Sequence, residues 1–67
     1  MDVTKIIEFV EQSTESKYVR SSFAGEGILI TFHGMDVAYL PAIRKQFGCF
    51  AKLKPLGSSW MLFVAEN

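Results

Sequence analysis

The sequence predicts a small α+β fold, a two-layer sandwich with the element order α-β-β-α-β-β, in which two helices cover one face of a four-stranded antiparallel-type sheet. Two segments carry apolar residues at the three- and four-residue spacing of an amphipathic helix. Four shorter segments are rich in β-branched, aromatic and aliphatic residues, and glycine, proline or serine separates most of them. We expect the 67 residues to form one domain, 1–67.

The first helix is predicted over residues 3–13. Val3, Ile6, Ile7 and Val10 fall on one side of a helix with this range, and Asp2 is placed to cap its N-terminus. A polar break follows at residues 13–16, so the helix is expected to end there.

Two strands are predicted next, at residues 18–23 and 28–33. The first alternates weakly, whereas the second, Ile-Leu-Ile-Thr-Phe-His, is the clearest strand in the chain. Residues 24–27 contain two glycines around Glu26 and predict the turn that joins these strands into a hairpin.

The second helix is predicted over residues 37–47. Asp36 is placed to cap it, Gly48 to end it, and Pro41 predicts an irregular start. Strands at 49–54 and 60–65 follow, joined by a turn at 55–59.

Connection rules predict the sheet order 18–23, 28–33, 60–65, 49–54. Strand 28–33, the second helix and strand 49–54 form a βαβ unit whose two strands run parallel. The last strand forms a hairpin with 49–54, and it fits best between the two parallel strands in a split βαβ arrangement. The resulting fold is a permuted ferredoxin-like sandwich, and the alternative is a meander with the strands in chain order.

Alternation along these strands separates a buried face from an open face. The residues expected to be buried are Val3, Ile6, Ile7, Val10, Val19, Phe23, Ile28, Ile30, Phe32, Leu40, Ile43, Phe47, Leu53, Trp60, Leu62 and Val64. The candidate binding residues, expected on the open face, are Tyr18, Arg20, Leu29, His33, Phe50, Lys52, Lys54, Met61 and Phe63. This second set mixes rings and aliphatic side chains with positive charge, and it contains no acid.

Composition limits the class of protein. Seven basic and seven acidic residues give zero formal charge, and 49% of residues are hydrophobic, which is globular composition. Cys49 is the single cysteine, so an intrachain disulfide and a multi-thiolate metal site are excluded. We expect a soluble, cytoplasmic protein with no membrane partner, because no apolar run reaches 18 residues. We also expect no metal and no cofactor, since one His and one Cys cannot supply a closed metal site.

Residues 28–65 resemble the RNA-recognition motif family. Ile28-Leu29-Ile30 matches the start of its shorter strand signature, the second helix ends in Phe47-Gly48, and Phe63-Val64 matches the Phe-Val pair of its longer signature. Leu29 and Met61 stand where that family has stacking aromatics. The resemblance implies the same strand arrangement, with residues 3–23 supplying the remaining helix and strand in permuted order, and a sheet face that binds RNA.

The function expected from these features is a non-enzymatic binding module that acts through the open face of its sheet. Its favoured partner is another protein chain, either a second copy in a homodimer or a target protein, because exposed apolar patches mark such interfaces. The alternative is single-stranded RNA or DNA, which binds to rings with basic neighbours. His33 and Asp36 have a spacing that could serve acid–base chemistry, but no nucleophile is placed against them in the sequence.

Overall fold

The computed structural model describes residues 2–67 and contains two helices, one 3₁₀ turn and four strands. In chain order these are helix α1 (Val3–Ser13), strands β1 (Lys17–Ala24) and β2 (Gly27–His33), the 3₁₀ turn Val37–Tyr39, helix α2 (Leu40–Phe47), and strands β3 (Cys49–Leu56) and β4 (Ser59–Glu66). The predicted element order is therefore confirmed, and each strand extends by one or two residues beyond its predicted range.

The four strands form a single sheet in the order β1-β2-β4-β3. Every neighbouring pair is antiparallel, so β2 and β3, which both pair with β4, run parallel to each other. This is the predicted split βαβ arrangement, and the alternative of strands in chain order is excluded. The connection between β2 and β3 passes through α2, as a crossover between parallel strands requires.

Side chains of the polar break hold the end of α1 and lead the chain into β1. The Thr14 hydroxyl donates to the Val10 carbonyl oxygen at 2.8 Å, and the Ser16 backbone N–H donates to the Thr14 hydroxyl oxygen at 2.9 Å. At the other end of α1, the Asp2 carboxylate accepts from the Lys5 backbone N–H at 3.3 Å, which is the predicted N-cap.

The second helical segment starts irregularly, as Pro41 predicts. The Asp36 carboxylate accepts from the Ala38 backbone N–H at 2.9 Å and caps the 3₁₀ turn, after which Leu40 begins α2. Pro41 then lies in the first turn of α2, where no intrahelical N–H is needed. Gly48 ends the helix at φ 59°, a left-handed conformation that glycine adopts without steric cost.

The core lies between the two helices and one face of the sheet. Its fully or nearly fully buried members are Ile6, Val10, Ile30, Phe32, Leu40, Ile43, Cys49, Ala51, Leu62 and Val64. Eight of the sixteen predicted core residues belong to this buried set, and Val3, Ile7, Ile28, Phe47 and Leu53 pack against its margin. Trp60, also predicted in the core, is half-buried. Because residues of both helices share this one cluster, both helices lie on the same face of the sheet.

Two predicted core residues, Val19 and Phe23, are exposed instead. The β1–β2 pairing shifts between Tyr18 and Arg20, so Val19 is the extra residue of a β-bulge, and the alternation along β1 breaks there. Phe23 lies opposite Ile28 on the helix side of the sheet, yet 90% of its surface is exposed. The prediction was wrong at these positions because it assumed unbroken alternation and a helix above every part of the sheet.

On each edge of the sheet, a side chain from a helix binds one backbone group. On β3, Nε and Nη2 of Arg44 donate to the Ala51 carbonyl oxygen at 3.0 and 2.7 Å. On β1, the Glu11 carboxylate accepts from the Tyr18 backbone N–H at 3.1 Å. Such caps satisfy backbone groups that an edge strand otherwise offers to another chain.

We predict that Arg44→Met lowers the free energy of unfolding by about 1 kcal/mol, because the Ala51 carbonyl loses a charged donor while the apolar stem is retained. Urea denaturation monitored by circular dichroism measures the change. Lys45→Met, at the next exposed position of α2, is the control and should remain within about 0.5 kcal/mol of wild type. Equal losses in the two variants would show that the Arg44 cap contributes nothing.

Candidate functional site

The face of the sheet opposite the helices carries the candidate site, and we call it the open face. Cross-strand pairs define it: Leu29 lies opposite Phe63 between β2 and β4, while Lys52 and Lys54 on β3 lie opposite Phe63 and Met61 of β4. Directly opposed residues of antiparallel strands project to the same side. Six side chains line one concavity of 330 Å³, which we call the groove: Leu29, Phe50, Lys52, Lys54, Met61 and Phe63.

Two aromatic rings form one end of the groove. The ring centroids of Phe50 and Phe63 lie 6.2 Å apart at an interplanar angle of 68°, an edge-to-face contact. Phe50 is 45% exposed, whereas Phe63 is half-buried. Phe50 is therefore the ring that offers surface to a ligand, and Phe63 supports it.

Gly27 explains why Phe63 is half-buried. A Cβ atom at Gly27 would lie 2.6 Å from Cζ of Phe63 and 2.4 Å from the Val64 carbonyl oxygen, so the phenyl ring occupies the space where a side chain would be. The ring covers the backbone of β2 at this point. Sequence reasoning assigned Gly27 to a turn and missed this role, although a glycine bordering a strand pattern signals a close approach.

The open face is electropositive. Arg20 of β1, opposite Thr31, and Lys52 and Lys54 of β3 are exposed on it. Among the strand residues that the structure describes, the single carboxylate belongs to Glu66, which lies opposite Cys49 on the helix side. The charged groups of the open face are thus all of one sign.

The other predicted site residues lie outside the groove. Arg20 is on the open face but on the edge strand β1, and two strands, β2 and β4, separate it from Lys52 on β3. His33 is at the end of β2, where its Nδ1 is 3.1 Å from the Ser59 hydroxyl oxygen. The structure therefore gathers six of the nine predicted residues around one concavity.

Tyr18 is on the opposite side of the sheet from its predicted position. It pairs with the buried Phe32, with ring centroids 6.4 Å apart, and its hydroxyl is 3.2 Å from the Ser21 hydroxyl oxygen. The bulge at Val19 reverses the alternation between Tyr18 and Arg20 and sends the Tyr18 ring toward the helices.

Leu56 is a further apolar residue on the open face that the sequence did not predict there. It lies opposite Ser59 in the strand pairing and is exposed, but it was assigned to the turn at 55–59. The turn is only Gly57 and Ser58, because Pro55 and Leu56 continue β3. A proline on an edge strand is tolerated since its missing N–H faces away from the neighbouring strand.

The residues considered for other chemistry have structural partners. The Asp36 carboxylate accepts from Ala38, and His33 contacts Ser59. Cys49 is buried, and desolvation raises the pKa of its thiol, outweighing a backbone hydrogen bond and the charge of Arg44. Within residues 2–67, no group of three or more His, Cys, Asp or Glu side chains is arranged to hold a metal ion. The chemistry that the groove supports is therefore binding through rings, aliphatic surface and ammonium groups.

Comparison with known proteins found no matching family model, no matching curated protein and no matching solved structure. The resemblance of residues 28–65 to the RNA-recognition motif family consequently stays a prediction. Neither helix described in residues 2–67 has the length and apolar character needed to cross a lipid bilayer.

We predict that Gly27→Ala lowers the free energy of unfolding by about 1–3 kcal/mol, because the added methyl overlaps the Phe63 ring and the Val64 carbonyl. Thermal and urea denaturation measure the loss. Ser22→Ala, an exposed strand position that lies opposite Leu29, is the control and should stay within about 0.5 kcal/mol of wild type. An unchanged stability for Gly27→Ala would contradict the close packing of Phe63 on β2.

Proposed function

We propose that this protein is a non-enzymatic binding module that holds a segment of another protein in the groove of its open face. One observation supports this most strongly: an exposed ring, an aliphatic floor and two lysines surround a single concavity with no carboxylate among them. Apolar surface of this kind favours protein partners, and the uniform charge favours a partner whose segment is acidic.

The size of the groove fits an anchored segment. Its volume of 330 Å³ lies at the lower end of the range for small-molecule sites, with room for about one or two anchoring side chains. Interfaces take most of their binding free energy from a few such anchors. We therefore assign the partner one or two large apolar side chains flanked by Asp or Glu.

A target protein is favoured over a second copy of this chain at the same face. If two open faces met, each copy would bring Arg20, Lys52 and Lys54 to the interface and neither would bring a strand carboxylate. Opposed like charges cost free energy in an interface. Self-association through the open face stays an outcome of the test below.

We predict that Phe50→Asp weakens binding of an acidic apolar peptide at least about tenfold, because the ring is lost and a carboxylate enters an anionic partner's site. The peptide is obtained by selecting a phage-displayed random library against wild type, and affinities for wild type and the variants are measured by isothermal calorimetry. Phe50 is chosen over Phe63 because Phe63 packs on Gly27.

Val37→Asp is the matched control, since Val37 is another exposed apolar residue, in the 3₁₀ turn and away from the groove. Its affinity should equal that of wild type. Selection of no peptide, selection of basic peptides, or equal loss in both variants would refute an acidic apolar partner in the groove. A wild-type dimer that Phe50→Asp converts to a monomer would assign the open face to a second copy instead.

Single-stranded nucleic acid is the second candidate, and the exposed ring of Phe50 beside Lys52 favours it. Bases stack on exposed rings and lysines contact phosphates. We predict that a Lys52→Ala, Lys54→Ala double mutant then lowers the slope of log affinity against log salt by about 1.4, from two lost phosphate contacts. Phe50→Ala should lower affinity without changing that slope. Fluorescence anisotropy with a mixed-sequence oligonucleotide measures both, and no binding at low salt excludes this candidate.

A further inference from the structure

The free edge of β1 is a second surface of interest, because backbone N–H and C=O groups along it have no hydrogen-bond partner in the part of the chain that the structure describes. A two-residue turn, Gly25 and Glu26, joins β1 to β2, with φ 62° at Gly25 and a negative φ at Glu26, which indicates a type II′ turn. In such a hairpin the flanking pair, Ala24 and Gly27, exchanges both backbone hydrogen bonds. Hydrogen-bonded and non-bonded pairs alternate along the ladder, so the N–H and C=O groups of Ser21 and Phe23 point outward, away from β2.

The two edges of the sheet are protected unequally. The same alternation points Ala51, Leu53 and Pro55 outward on β3. Arg44 binds the carbonyl of Ala51 and Pro55 has no N–H, so the outward groups of Leu53 lie between two interrupted positions. On β1 the Glu11 carboxylate covers only the start of the strand, at Tyr18. Within residues 2–67 no cap reaches the outward groups of Ser21 and Phe23.

Exposed apolar surface accompanies this free edge. Phe23 is 90% exposed on the helix side of the sheet, beside a hollow of 380 Å³ lined by Val3, Ser21 and Ile28 among others. A strand that adds to an edge gains main-chain hydrogen bonds, and pockets for alternate side chains give it specificity. The edge of β1 offers both features together.

We propose that two copies of this chain associate through β1, antiparallel, with a two-fold axis passing between the two Ser22 residues. The two sheets then form one continuous sheet of eight strands. In this register Ser21 of each copy lies opposite Phe23 of the other, so the outward N–H and C=O groups of these residues face each other at two positions. Each such pair exchanges two backbone hydrogen bonds, which gives four in total. An axis at Ser21 would pair Phe23 with Val19, where the bulge breaks the ladder.

A second copy fits this edge because the edge is complementary to itself. The two Phe23 rings become diagonal neighbours across the axis, at a spacing of about 7–8 Å that aromatic side chains can bridge. Arg20 lies opposite Ala24 of the other copy, beside the Gly25–Glu26 turn of that copy. The chain has zero net charge, so long-range repulsion between two copies opposes their association least.

Sedimentation equilibrium with a proline variant tests the proposal. The wild-type mass should rise from 7.5 kDa toward twice that value with concentration, and Ser21→Pro should remain at 7.5 kDa. The proline removes an outward N–H that β2 does not use, so the β1–β2 hairpin is retained. Phe50→Asp, on the open face, should dimerise like wild type, which separates this proposal from the function of the groove.

Cysteine cross-linking tests the register and does not depend on the proline variant. Ser22→Cys should form a covalent dimer under mild oxidation, because facing Cα atoms at a non-bonded pair lie about 4.5 Å apart. Arg20→Cys, on the same strand and face, lies opposite Ala24 and should not. Cys49 is buried and does not compete.

A wild-type mass of 7.5 kDa up to about 1 mM protein would overturn the proposal. Equal cross-linking of the two cysteine variants, or a folded Ser21→Pro that dimerises like wild type, would also overturn it. A monomer that instead pairs with an extended peptide along β1 would assign the edge to another protein.

Discussion

The pairing of β2 with β4 is the constraint on which the rest of the structure depends. Because β4 enters the sheet between β2 and β3, Ile30 lies opposite Leu62 on the buried side, and Leu29 lies opposite Phe63 on the other. A register shift of one residue would exchange these two sets and place the aliphatic core in water. The position of β4 thus fixes the core and the groove together.

Residues 2–67 form two helices, and both lie on the same face of the sheet. The open face is ordered by contacts within itself, as Phe63 packs on Gly27 and against Phe50. A ring held in this way loses little conformational entropy when a ligand binds, which favours affinity. Within residues 2–67 no helix covers the open face, so this face stays accessible, and the packing of its rings makes it preorganised.

The sequence predicted the sheet and its central strands because their alternation is unbroken: Ile28 to His33 and Trp60 to Ala65 have the faces expected from a period of two. It failed along β1, where Tyr18 and Val19 were assigned to the wrong environments. The polar segment Arg20-Ser21-Ser22 carries no hydrophobic signal that marks a bulge. Gly27 was missed for a different reason, since the ring that occupies its side-chain space comes from β4, 36 residues later.

We propose the open face as the surface on which the protein works, and NMR attenuation of methyl signals by a soluble paramagnetic probe tests this most directly. In the free protein, the methyl groups of Leu29 and Met61 should be attenuated, and those of the buried Ile30 and Leu62 should not. Addition of the selected acidic peptide should protect Leu29 and Met61 and leave the buried pair unchanged. Peptide binding that leaves the attenuation of Leu29 and Met61 as it was would contradict the claim.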